Sequence, residues 1–138
     1  MITISKTEDR QACYDLRHKV FVEEQGYSAE GEIDALDPVC HHLLGVDGDT
    51  PVATARVYLE GDTAKIGRVC VSESQRGTGL GAELIKAAVA LAQELGATRA
   101  ALGAQVYAIG FYGKLGFEPY GDVYADEGEP HQMMARTL

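Results

Sequence analysis

The stretch Arg76-Gly77-Thr78-Gly79-Leu80-Gly81 sets glycine at alternate positions, directly before a segment with helical spacing. The first amides of a helix have no partner within it and together carry about half a positive charge. Glycine permits positive φ and lets the backbone approach a bulky anion with no Cβ in the way. The stretch therefore suits a phosphate group. It equally suits a tight strand-to-helix turn with no ligand, and the glycines alone do not decide.

Three phosphate-binding readings compete. A P-loop needs Lys and then Ser or Thr after its last glycine, but Gly81 is followed by Ala82 and Glu83, so that reading fails. A dinucleotide fingerprint needs G-x-G-x-x-G early in a βαβ unit. Here the spacing is G-x-G-x-G, after strands that read as antiparallel. The diphosphate of coenzyme A is the third reading.

Other reactive side chains are scattered. Glu23 and Glu24 are neighbours, so at most one faces a common site, and both read equally as a solvated helix end. His41 and His42 are adjacent in a predicted strand and point to opposite faces, which argues against a metal pair. Cys13, Cys40 and Cys70 are odd in number and lack C-x-x-C spacing; they read as free thiols in a reducing compartment rather than a zinc site. Cys70 reads as a small apolar residue rather than a nucleophile.

A chain of 138 residues with 46% hydrophobic content fits one domain, residues 1–138, with a single core. Its 12 basic and 21 acidic residues give a net charge of −9. That argues against nucleic acid, which needs clustered Lys and Arg. It is compatible with a cationic small-molecule partner and equally with plain solubility. No apolar run approaches ~20 residues, so no membrane span is expected. "MITISKTEDR" lacks a basic segment followed by an apolar block, so the chain reads as cytoplasmic.

The elements that must position these residues follow from periodicity. "MITIS" reads as a first strand, and Thr7 as the cap of a helix whose buried stripe is Ala12, Cys13, Leu16, Val20 and Phe21. Arg17, Phe21 and Gln25 share a face if that helix persists. Residues 25–38 read as a flexible, solvated loop, although Glu30, Glu32, Asp34 and Asp37 could attract an amine. Two antiparallel hairpins are expected over residues 41–71. A helix starts at Leu80 and closes at Gly96. "ATRAALGA" reads as a buried strand, residues 106–115 as a helix, and "HQMMARTL" as the last strand. The order gives a mixed α/β layer fold.

At this point the sequence resembles a known family. "VCVSESQRGTGLGAELI" is similar to the acyl-CoA-binding motif of the GNAT superfamily of N-acetyltransferases, Q/R-x-x-G-x-G/A, with Arg76, Gly79 and Gly81 in its defined positions. "QVYAIGFYGKLGF" resembles that family's N-x-x-A-x-x-x-Y-x-K-x-GF segment; Ala108, Tyr112, Lys114, Gly116 and Phe117 match, and Gln105 replaces the more usual Asn. "LRHKVFVEEQG" and "EGEPHQMM" resemble the ElaA/YjcF-like branch. "LRxxVFxxE" also resembles acyl-homoserine lactone synthases, which generally lack such a glycine turn.

The resemblance implies an α/β (α+β) fold with a mixed, mostly antiparallel sheet flanked by helices. Two neighbouring strands, one ending at Val71 and one running through Leu102, would splay apart to hold acetyl-CoA. Val69, Cys70 and Val71 would line the pantetheine. Arg76, Gly77, Thr78, Gly79, Leu80 and Gly81 would hold the pyrophosphate, with Gln105, Ala108 and Tyr112 beside the cofactor. Tyr112 matches the general acid. Glu23, Glu24 and His131 are the candidate bases, and Arg17, Phe21 and Gln25 belong to the acceptor wall. The implied reaction is acetyl transfer to a small-molecule amine by direct attack in a ternary complex, without a metal, in a protein that could form a homodimer. The alternatives are a non-catalytic acyl-CoA-binding module and, third, a lactone-forming acyltransferase.

Overall fold

In the computed structural model, which describes all residues 1–138, the chain begins with strand β1 (Ile2–Thr7). Ile2 and Ile4 alternate with polar residues and pack against the core. Helix α1 (Arg10–Arg17) follows at once. Its cap is Asp9 rather than Thr7: the Asp9 carboxylate accepts from the Ala12 amide at 3.1 Å, while Thr7 Oγ1 accepts from the Asp9 amide. From His18 to Glu24 the helix widens into a π-helical stretch, as in the bond from the Gln25 amide to the Val20 carbonyl at 3.1 Å. A wider turn ends the spacing-of-four rule. Arg17 therefore does not share a face with Phe21 and Gln25.

Three antiparallel strands come next, β2 (His41–Asp47), β3 (Thr50–Glu60) and β4 (Thr63–Val71). Helix α2 (Leu80–Glu94), strand β5 (Arg99–Gln105), a short helix α3 (Ile109–Gly113) and strands β6 (Glu118–Asp126) and β7 (Glu129–Thr137) complete the chain. The sheet order is β1-β2-β3-β4-β5-β7-β6, and β4–β5 is its parallel pair. Helices cover both faces. Leu84, Ile85 and Ala88 of α2 join the main core, whereas Leu16 and Val20 close on Cys70 from the other side. The mixed, mostly antiparallel sheet expected from the sequence is present.

Two elements differ from expectation. The helix read over residues 106–115 is a turn, Val106–Ala108, followed by the five-residue α3, because Gly110 and Gly113 weaken it. Strand β6 was not expected. All its residues are exposed, so it carries no alternating apolar signal. It joins β7 through Glu127 and Gly128, both at positive φ (52° and 77°), so the last strand starts two residues earlier than expected.

The acidic segment expected to be a solvated loop is instead tied down. Arg17, 1% exposed, donates to the Asp37 carboxylate at 2.7 and 3.0 Å and to Glu32 at 2.9 and 3.1 Å. Arg56 reaches Asp34 at 2.7 Å and Asp37 at 3.0 Å, and Arg68 reaches Glu32 at 2.8 Å. Three guanidinium groups thus meet three carboxylates. Burial alone would raise the Asp37 carboxyl; the hydrogen bonds from Arg17, the Asp34 amide and Arg56 outweigh it and hold the group well below 3.8. Arg68 itself sits at φ 49°, in a bulge where Ala55 of β3 faces both Arg68 and Val69.

A carboxyl held below its unfolded value stabilises the fold fully above that value, and the contribution is lost as pH falls toward the folded one. Asp37→Asn should therefore cost about 3–5 kcal/mol at neutral pH by leaving buried guanidinium charge unpaired. It should also lose less stability than the wild type as pH drops below 3.8. Urea unfolding at neutral and acid pH checks both, and a variant as stable as the wild type would contradict the role assigned to Asp37.

Candidate active site

Strands β4 and β5 pair at Thr63–Arg99, Ala64–Ala100 and Lys65–Ala101, and no further. Strand β7 holds the other edge of β5 along its whole length. From Ile66 and Leu102 onward the two strands part, and a cavity of about 560 Å³ opens between them. Ile66, Gly67 and Val69 line it from β4, and Leu102, Gly103 and Gln105 from β5. Phe21 and Gln25 line it from the π-helical stretch and the residue that ends it. Tyr27 follows them, stacked on Phe21 with centroids 6.1 Å apart, and its hydroxyl accepts from the Gln105 amide across the cleft.

At the other end, β4 runs through a short turn into the glycines and α2. The amides of residues 77–82 have no partner in the chain, and α2 has no side-chain cap. Gly77 and Gly79 adopt φ of 79° and 87°, and nothing lies within 4 Å of where a Cβ would stand. Backbone conformation demands glycine there, and the space above is open. Leu80 points into the core, so it offers only its amide. Thr78 Oγ1 donates to the Gln75 carbonyl at 2.6 Å.

Arg76 and Glu24 meet each other. The Arg76 guanidinium donates to Glu24 at 2.7 Å and to the Val71 carbonyl at 3.2 Å, which ties the glycine turn to the end of the π-helical stretch. Neither Glu23 nor Glu24 lines the cavity. Arg17 does not line it either; its guanidinium belongs to the buried ion network. Cys70 faces α1, and burial pushes its thiol up to about 12.

Ala108, Tyr112 and His131 do line the cavity. Tyr112 packs edge-on against Phe117 at 6.1 Å, and burial pushes its phenol up to about 12. His131 is 7% exposed. Its Nδ1 lies 2.9 Å from the Glu129 carbonyl; because a carbonyl only accepts, the neutral ring carries its proton on Nδ1. Nε2 then holds the lone pair, and it has no partner in the chain. The carboxylates of Glu30, Asp126 and Glu127 line the same cavity without an ion pair, so its mouth is negative.

Sequence reasoning missed Tyr27, Arg68 and Tyr124. Tyr27 lies in a segment with no periodicity. Arg68 looks like an ordinary strand residue until the bulge turns it. The β-propensity of Tyr120, Val123 and Tyr124 was a usable signal for β6, masked by Pro119 and Gly121.

Residues 8–117 match the model of the "Acetyltransferase (GNAT) family". YjcF of Bacillus subtilis, named an N-acetyltransferase, is 35% identical over 135 residues, covering 96% of this chain and 96% of that protein. The crystal structure of Escherichia coli ElaA is 34% identical and superposes with a TM-score of 0.88 over 99% of both chains. An acyl-CoA N-acyltransferase from Pseudomonas aeruginosa, 32% identical, superposes at 0.89, again over 99% of both. No helix here is long and apolar enough to cross a membrane.

If the unpartnered amides hold a diphosphate, a β-branched residue at Gly79 must cripple the site by disfavouring its positive φ. Gly79→Val should weaken coenzyme A at least about tenfold in calorimetry, a loss of about 1.4 kcal/mol. Thr78→Ala, which leaves the backbone free to adopt the turn, should change affinity little. Equal affinity for wild type and Gly79→Val would contradict the assignment.

Proposed function

The chain belongs to the GNAT acetyltransferase family and is an acyltransferase, and from that premise we propose that it transfers an acetyl group from acetyl-CoA to the primary amine of a small molecule. The observation that carries this reading is the parted β4–β5 pair, with free amides at one end and Tyr112 and His131 in the cavity at the other.

In this reading the pantetheine lies along the open edge of β4, bonded by main-chain groups near Val69 and Val71, while its diphosphate rests on the amides of residues 77–82. Gln105 and Ala108 border the thioester. The amine approaches from the side of Phe21 and Gln25, drawn as an ammonium ion toward the negative mouth. It must be neutral to attack. Nε2 of His131 takes its proton, directly or through one water. The nitrogen then adds to the thioester carbon and loses its second proton to solvent, and the C–S bond breaks to release the amide and the thiolate. No covalent acetyl-enzyme is needed, and the buried Cys70 thiol is badly placed to form one.

Tyr112 completes the scheme. With its phenol near 12 it stays protonated at neutral pH. It is too weak an acid to ionise fully against a free thiolate near ~8.5. Its part is a hydrogen bond to the departing sulfur, which steadies the developing negative charge; the second proton shed by the amine nitrogen reaches the released thiolate through solvent.

The test is acetyl-CoA turnover across a panel of small primary amines, followed by thiol release. At least one amine should support multiple turnovers. With the most active amine, Tyr112→Phe should lower kcat about ten- to a hundredfold while KM for acetyl-CoA stays within about twofold. His131→Ala should lower kcat similarly. Tight coenzyme A binding with no turnover across the panel would overturn the enzymatic scheme in favour of a binding module, and an unchanged kcat would remove either residue from it.

A further inference from the structure

Tyr124 stands opposite His131 in the β6–β7 ladder, yet its hydroxyl reaches strand β5. A Cβ built on Gly103 would lie 2.3 Å from that oxygen, although β7 runs between β5 and β6. The Tyr124 side chain therefore lies across β7. On the way its ring stacks on the His131 imidazole, with centroids 5.7 Å apart and planes 29° from parallel. Its hydroxyl ends against the Met133 sulfur at 3.5 Å. His131 and Met133 are two residues apart on one strand, so they flank the ring on the same face. Gly103 faces Met133 in the next ladder, and it is the residue whose missing side chain leaves the seat open.

The imidazole has one fixed polar contact, from Nδ1 to the Glu129 carbonyl. A single hydrogen bond leaves the ring free to swing about it. The flat face of Tyr124 removes that freedom.

We infer that Tyr124 is a positioning residue for His131: seated in the gap that Gly103 leaves, its ring holds the imidazole with Nδ1 on the Glu129 carbonyl and Nε2 toward the cavity. The contribution comes from the ring face rather than the hydroxyl. Gly103 is then a specific requirement of the site, because a Cβ there would stand 2.3 Å from the phenol oxygen and force the ring from its seat against His131. The inference rests on the reading of His131 as the base, but its geometric half stands apart from it.

The experiment uses the full chain without ligand and reads the His131 ring nitrogens by NMR, which distinguishes the two neutral tautomers. The wild type should show a single form with the proton on Nδ1. Tyr124→Ala and Gly103→Ala remove the stack from opposite sides, one by deleting the ring and the other by filling its seat. Both should give averaged ring signals. Both should also lower kcat for the most active amine of the panel about ten- to a hundredfold, with KM for acetyl-CoA little changed. Tyr124→Phe keeps the ring and should retain the wild-type ring signals. A single Nδ1–H form in Tyr124→Ala, or averaged signals in Tyr124→Phe, would overturn the inference. If His131→Ala itself leaves kcat unchanged, the base reading fails while the tautomer result still decides the positioning.

Discussion

Two parallel strands that pair for three rungs and then separate impose the constraint on which the rest of the molecule depends. Had β4 and β5 continued to pair, the sheet would be closed and the cavity filled by backbone. The separation leaves main-chain donors and acceptors open along β4, and unpaired backbone groups away from water are costly. Such an edge is tolerated because it faces solvent or a ligand that bonds like a strand. β5 keeps its partner β7 throughout, so it loses only one side. The bulge at Arg68 adds twist to β4 just beyond the last shared rung.

The ion network gives the cleft its far wall. Arg17 from α1, Arg56 from β3 and Arg68 from β4 converge on Glu32, Asp34 and Asp37, and so fix the segment that carries Tyr27, Glu30 and Glu32 against the sheet. Buried ion pairs of this kind specify one arrangement more than they add net stability. Here the arrangement specified is a loop held beside an opening. The two ends of the cleft differ in what they present: the glycine turn has unpartnered main-chain amides, whereas the cavity is lined by the side chains of Tyr112, His131 and Tyr124.

Much of this was legible in the residues. The glycines at 77, 79 and 81, the apolar stripe of α2 and the Tyr112 segment pointed to the fold and family and to residues that the structure places at the helix mouth and in the cavity, because their signals are local: a turn conformation, a helix face, a short motif. What failed to show depended on long-range pairing. Arg17 read as a wall residue because nothing in its neighbourhood announces Asp37 or the π-helical stretch that follows it. Glu32, Asp34 and Asp37 read as solvated because an acidic loop looks the same whether or not arginines from three other elements reach it. Glu24 read as a base because its partner, Arg76, is distant in sequence. Strand β6 has no buried face, so it leaves no period in the sequence, and Tyr124 disappeared with it.

The most direct measurement is a titration of the isotope-labelled protein with coenzyme A, following backbone amide resonances. The expected result is saturable shifts centred on residues 77–82 and on β4 around Val69, with β1 and β2 unmoved. Resonances of residues 77–82 that stay in place at millimolar coenzyme A would contradict the claim that the parted strands and the helix mouth form one acyl-carrier site.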